Sequence, residues 1–170
     1  MADKPACLVV MLVSGMLAGL SSAAPEGRDD EAARAVVAAP DVAAAVAELT
    51  NAERTRAGLA ELRASLRLVQ AAQIHAEQMA RLRRLDHVLR DADHPRPEDR
   101  LAAVAYRWQA WAENVASGQR TAAEVVAGWM RSPGHRANIM SSSVTELGAG
   151  YARDASGRPY WVQVFGRPLS

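Results

Sequence analysis

Three side chains in this chain carry the functional groups that a hydrolytic centre needs: His87, Glu113 and His135. Two imidazoles and one carboxylate can hold a divalent ion such as zinc and leave one coordination position for water. The same groups can bind a ligand without chemistry, or satisfy one another as a buried polar network. No His-Glu-x-x-His run or similar local pattern brings them together, so their proximity depends on the fold. Ser132 and Ser141 to Ser143 lie near His135 in sequence, yet nothing marks any of them as an activated nucleophile.

The elements that must position these groups are legible in the spacing. Asp41 can cap a helix running to about Ala57, with Gly58 as its stop. Val42, Val46 and Leu49 share its buried stripe, and Asn51 and Arg54 share a face near its end, free to bind neighbouring backbone carbonyls or to form a surface pair. Ser65 caps a second helix on which Leu68, Ala72, His75 and Met79 recur at helical intervals, so His75 reads as a packed core residue. His87 follows that helix and is free to point into a cleft, with Asp86 beside it. The Asp- and Pro-rich stretch 90–97 is loop, which leaves His94 solvated, and Pro97-Glu98-Asp99 opens a short helix.

In 106–116, an extended chain turns Trp111, Glu113 and Val115 to one side and Ala112, Asn114 and Ala116 to the other. A carboxylate on a face with Trp and Val is a candidate for burial, which raises its pKa unless cations compensate. Thr121-Ala-Ala-Glu124 is a capping box that starts a further helix. Ser132-Pro133-Gly134 ends it, so His135 is expected to project from a sharp turn and not from a helix. Leu147 to Ala152 and Tyr160 to Phe165 form a hairpin over the turn Asp154 to Gly157. Gly148 and Gly150 on its first strand point to something packed closely on that face. Helices first and strands late, without a βαβ rhythm, make the fold class α+β.

With 170 residues, 49% hydrophobic and 23% charged, the chain suits one domain with a small extension. A net charge of +1 gives no nucleic-acid footprint, and the densest basic patch, Arg81 to Arg84, reads as a solvated helix face. Residues 1–24 read as a secretion signal: Lys4, an apolar run from Ala6 to Leu20, then small residues to Ala24. An uncleaved anchor is the alternative. Cys7 precedes the apolar run, which argues against a lipoprotein and leaves the mature domain without a disulfide. Residues 25–40 read as a flexible spacer and 41–168 as the domain. The expected location is outside the cytoplasm, extracellular or periplasmic, with no stable span in the mature form.

Seven stretches then occur in an order that resembles a known family. They are 49–59 (Leu-Thr-Asn-Ala-Glu-Arg-Thr-Arg-Ala-Gly-Leu), 75–80 (His-Ala-Glu-Gln-Met-Ala), 86–88 (Asp-His-Val), 112–116 (Ala-Glu-Asn-Val-Ala), 129–140 (Trp-Met-Arg-Ser-Pro-Gly-His-Arg-Ala-Asn-Ile-Met), 148–151 (Gly-Ala-Gly-Tyr) and 160–166 (Tyr-Trp-Val-Gln-Val-Phe-Gly). Together they resemble the CAP superfamily of cysteine-rich secretory, antigen-five and pathogenesis-related proteins, in its bacterial secreted branch. The resemblance implies a three-layer α-β-α sandwich around an antiparallel sheet. It also implies a cleft lined by His87, Glu113 and His135, which in some members binds zinc or another divalent ion. Ala112 stands where the family usually has Gly, and Tyr160 where the eukaryotic branch has its second cleft His, so Tyr160 joins the expected cleft lining. The implied functions are binding of an envelope lipid, a wall component or a protein partner, metal-dependent hydrolysis, or a purely structural network.

Overall fold

The computed structural model describes residues 8–10 and 28–169, with side chains from Val42 onward. The expected secretion signal therefore lies outside the described residues except at 8–10.

The first helix, α1 (Arg28–Arg56), starts well before Asp41 and runs through most of the expected spacer, so Asp41 is not its cap. Alanine is the strongest helix former, and the stretch before Asp41 is rich in it; this carries the helix across Pro40 despite the missing N–H. Gly58 ends the segment at φ +73°, a backbone region that favours glycine. Beyond it, Asn51 donates to and accepts from the backbone of Leu62 (3.0 and 2.9 Å). Arg54 donates to the carbonyls of Ala60, Ile139 and Ser141 at 2.7–2.9 Å. Of the two roles open to that shared face, both residues bind backbone groups, and Arg54 reaches loops distant in sequence.

The second helix, α2 (Leu66–Leu82), has Ser65 at its N-cap and Arg83 in the left-handed region at its end. The short α3 (Pro97–Ala103) has Pro at its first turn, where a missing N–H costs nothing. Next come β3 (Trp108–Ser117), α4 (Ala122–Arg131) and α5 (Pro133–Ile139), then β4 (Glu146–Arg153) and β5 (Pro159–Pro168). The Thr121 hydroxyl accepts from the Glu124 amide at 3.1 Å, while the Glu124 carboxylate reaches Arg120 instead of closing the reciprocal half of the box. His135 departs from expectation. Ser132-Pro133-Gly134 ends α4 and at once starts α5, because Pro suits a first helical turn as well as it breaks a preceding one. His135 is thus a residue of a short helix.

The sheet order is β1-β3-β5-β4-β2, where β1 is Leu8–Val10 and β2 is Arg63–Ala64. Its centre, β3-β5-β4, is antiparallel, and the two short edge strands pair parallel. One apolar cluster joins α1, α4 and α5 to Ala112, Ala116, Trp161 and Phe165. The other joins α2 and α3 to Trp111, Val115, Val162 and Val164. The result is a three-layer α-β-α sandwich, with β3 showing the expected alternation. Gly148 and Gly150 explain how closely α2 lies on the sheet. A Cβ on Gly148 would stand 2.1 Å from the backbone of Leu68, and one on Gly150 2.4 Å from that of Ala72. Gly148→Ala or Gly150→Ala is therefore expected to cost about 3 kcal/mol or more, read as a lower midpoint in chemical unfolding.

Candidate functional site

Glu113 sits mid-strand in β3, flanked by Trp111 and Val115 on the α2–α3 face, and only 1% of it is exposed. A buried carboxylate needs partners, and this one has three. His87 Nδ1 donates to its Oε1 at 2.8 Å. Arg100 donates to Oε1 at 3.2 Å and Oε2 at 3.0 Å. The Nε2 of His75 lies 3.7 Å from Oε1. Arg100 is itself buried and also donates to the carbonyls of His87, His94 and Pro95. One guanidinium thus ties the loop that carries His87 to the strand that carries Glu113.

The network sets the charge states. Burial opposes ionisation of Glu113, but the charge that His75 takes up in the acid range, the permanent charge of Arg100 and the hydrogen bond from His87 outweigh it and bring the carboxyl down to about 2. Burial is the main influence on His75 and pushes its imidazole down to about 4, against the pull of Glu113. At neutral pH the centre therefore holds an ionised Glu113 and a neutral His75.

Of the three residues expected to line one cleft, the structure brings His87 and Glu113 into direct contact. His135 is fully buried on α5, and its carbonyl accepts from the Asn114 side chain at 3.2 Å. Asn114 follows Glu113 on the strand and faces the other layer. His135 is accordingly not among the groups within ion-pairing reach of Glu113. Tyr160 is a correction. It pairs with Ser117 while Glu113 pairs with Val164, and four residues at ~3.3 Å each place it ~13 Å along the sheet. The hairpin register thus keeps Tyr160 at the far end of β5.

The residues do not fit the three-ligand metal set. Both oxygens of Glu113 are engaged, and a guanidinium occupies the space beside them where a dication would have to stand. Among the described residues, no group of three His, Cys, Asp or Glu side chains is arranged to hold a metal ion. The residue that sequence reasoning missed is Arg100. Its signal was available: Pro97, Arg100, Leu101 and Val104 fall on one helical face, which puts a cation in the middle of an apolar stripe.

Comparison with known proteins decides the family. The model of the cysteine-rich secretory protein family, CAP, matches residues 47–165. The chain belongs to this family. The CAP chain is 36% identical over 120 residues to the uncharacterized protein YkwD of Bacillus subtilis, covering 71% of this chain and 45% of that protein. It is 31% identical over 120 residues to the uncharacterized membrane protein YlbC of the same organism, covering 71% and 33%. The CAP chain thus spans less than half the length of these relatives. Among solved structures, it is similar to an extracellular protein with an SCP domain from Bacillus anthracis, with a TM-score of 0.72 and 23% identity, over 85% of this chain and 45% of that one. An outer surface protein of Borrelia burgdorferi matches with a TM-score of 0.66 and 20% identity, over 73% and 90%. These likenesses establish a shared fold.

The charge states predict an acid sensitivity with two parts. The unfolded chain protonates His75 below about pH 6.5 and the folded chain only near pH 4, so stability falls as pH drops through that window. Glu113 adds a second loss from about pH 4.5 down to 2, because its folded carboxyl is depressed. His75→Leu should flatten the upper window in pH-dependent melting and also narrow the lower one, because it removes a charge that holds the Glu113 carboxyl down. Arg100→Met should cost about 3–5 kcal/mol at neutral pH, since it strands a buried carboxylate.

Proposed function

We propose that this CAP domain is a secreted, non-catalytic binding module of the bacterial cell envelope, and that its His87–Glu113–Arg100 network braces the binding surface instead of performing chemistry. The observation that carries this reading is the saturation of Glu113. A general base or nucleophile must reach a substrate, and this carboxylate is buried with both oxygens engaged. His87 is oriented by the same carboxylate and is only 3% exposed.

Two further observations support the placement and the mode. The similar solved proteins are described as extracellular or outer-surface, and no helix among the described residues is long and apolar enough to cross a membrane. An open groove of about 680 Å³ runs beside α4, with Ala116, Gln119, Ala127, Trp129 and Ser132 in its lining. That volume falls in the range of small-ligand and peptide-side-chain sites. Candidate ligands are an envelope lipid, a wall component or a protein partner.

The test is retention of the purified chain on isolated peptidoglycan sacculi, on phosphatidylglycerol vesicles and on immobilised envelope protein extract. Retention on at least one is expected. Ala127→Trp, which fills the groove from an exposed position, should weaken retention at least about tenfold, equivalent to 1.4 kcal/mol. A hydrolase acting through a bound ion predicts the opposite pattern: no retention, turnover dependent on divalent ion, and about 2.7 kcal/mol of stabilisation at a hundredfold excess of zinc over its dissociation constant. That result would replace the binding reading.

A further inference from the structure

The outer edge of β3 is covered by a piece of the chain's own leader. Leu8, Val9 and Val10 pair parallel with Ala112, Glu113 and Asn114, and α5 contacts the same short strand. The covered positions are the two central polar residues of β3 and their neighbour. Asn138 of α5 donates to the Glu113 carbonyl at 3.3 Å and to the Asn114 side chain at 2.8 Å, so α5 forms one wall along this edge. Residues 8–10 fall within the segment read as a secretion signal, and removal of that signal would vacate a strand edge beside the braced site. A strand that is buried on both faces and open along one edge is a template for another extended chain.

The geometry points to β3 as a strand-acceptor site: it takes an extended apolar polypeptide segment, rich in Leu and β-branched residues, in the parallel register now held by Leu8–Val10. Recognition of this kind draws affinity from the main-chain ladder and selectivity from alternate side chains. The inference rests on the binding reading above and narrows its partner to a polypeptide. In the unprocessed chain, residues 8–10 hold the edge closed.

The experiment uses the full chain and the variant Val9→Pro/Val10→Pro, which cannot supply the ladder donors. Backbone amide exchange across 112–116 is followed by mass spectrometry or NMR. The variant should exchange about tenfold faster or more at the outward-facing amides of β3, while 160–165 of β5 keeps its protection. A synthetic peptide of residues 5–14 with lysines added for solubility should restore protection when supplied to the variant. N-methylation of the peptide at Val9 alone or Val10 alone should then have unequal effects, because alternate residues of a parallel strand turn their N–H toward the same neighbour.

Unchanged exchange in the variant would overturn the proposal, as would failure of the peptide at millimolar concentration. Equal loss from both methylated peptides would also overturn it, since that signals apolar adhesion without a ladder. Retention on sacculi or vesicles that persists alongside any of these results leaves the binding reading standing and removes only the strand-acceptor site.

Discussion

One buried carboxylate governs the geometry of this domain. Glu113 is nearly inaccessible to water, and an ionised group in that position is tolerable only while its partners stay in place. Arg100 is the partner that reaches furthest. Besides both carboxylate oxygens, it holds the carbonyls of His87, His94 and Pro95. The segment between α2 and α3 contains no regular element, yet it is fixed because its backbone carbonyls converge on one guanidinium. A lysine could not replace it, since a single ammonium lacks the planar fork that serves a carboxylate and several carbonyls at once.

The residue after Glu113 does the corresponding work on the other face. Asn114 donates to the Gln163 side chain at 3.0 Å and accepts from Asn138 at 2.8 Å, and Gln163 donates to Thr50 of α1. Thr50 in turn donates to the Val46 carbonyl. Adjacent residues of one strand thus anchor opposite layers, the charged network below and the amide network above. This pairing fixes register more firmly than apolar contacts could. A slip of one residue would turn the carboxylate toward the cluster of Trp129, Ile139 and Phe165, away from the Arg100 guanidinium. Apolar side chains tolerate such exchange within about a kilocalorie when volumes match, whereas a stranded charge costs several.

How much of this was legible in the sequence follows from the range of the forces involved. Local signals read well: the alternation in 111–116, the Gly58 stop, the Ser65 cap, and the two glycines that let α2 approach β4. Burial of His75 also followed from its place on an apolar stripe. The errors occurred where one local signal has two meanings or where a partner is distant. Asp41 has capping chemistry, but the alanine-rich stretch before it favours helix more strongly. Pro133 ends one helix and begins another. The short edge strand Arg63–Ala64 carries no pattern because it is defined by its pairing with β4. The three-group centre around Glu113 was half visible. The acid and His87 were identified, while Arg100 was overlooked because an arginine on a short helix is ordinarily solvated.

The division of labour among polar residues bears on how the molecule can bind anything. The perturbed groups of this centre, Glu113 and His75, are committed to internal contacts or sealed in the core, so they contribute rigidity and no reach. Rigidity has its own consequence for recognition. Much of the cost of association lies in ordering side chains and backbone at the interface, and a strand clamped from both faces has little left to lose. β3 is clamped in this way at two consecutive residues, and its end at Ala116 enters the groove beside α4. A partner meeting that strand meets a surface already in its bound form. Affinity can then come from modest contacts, and rigidity by itself gives the domain a use for a buried acid at its centre.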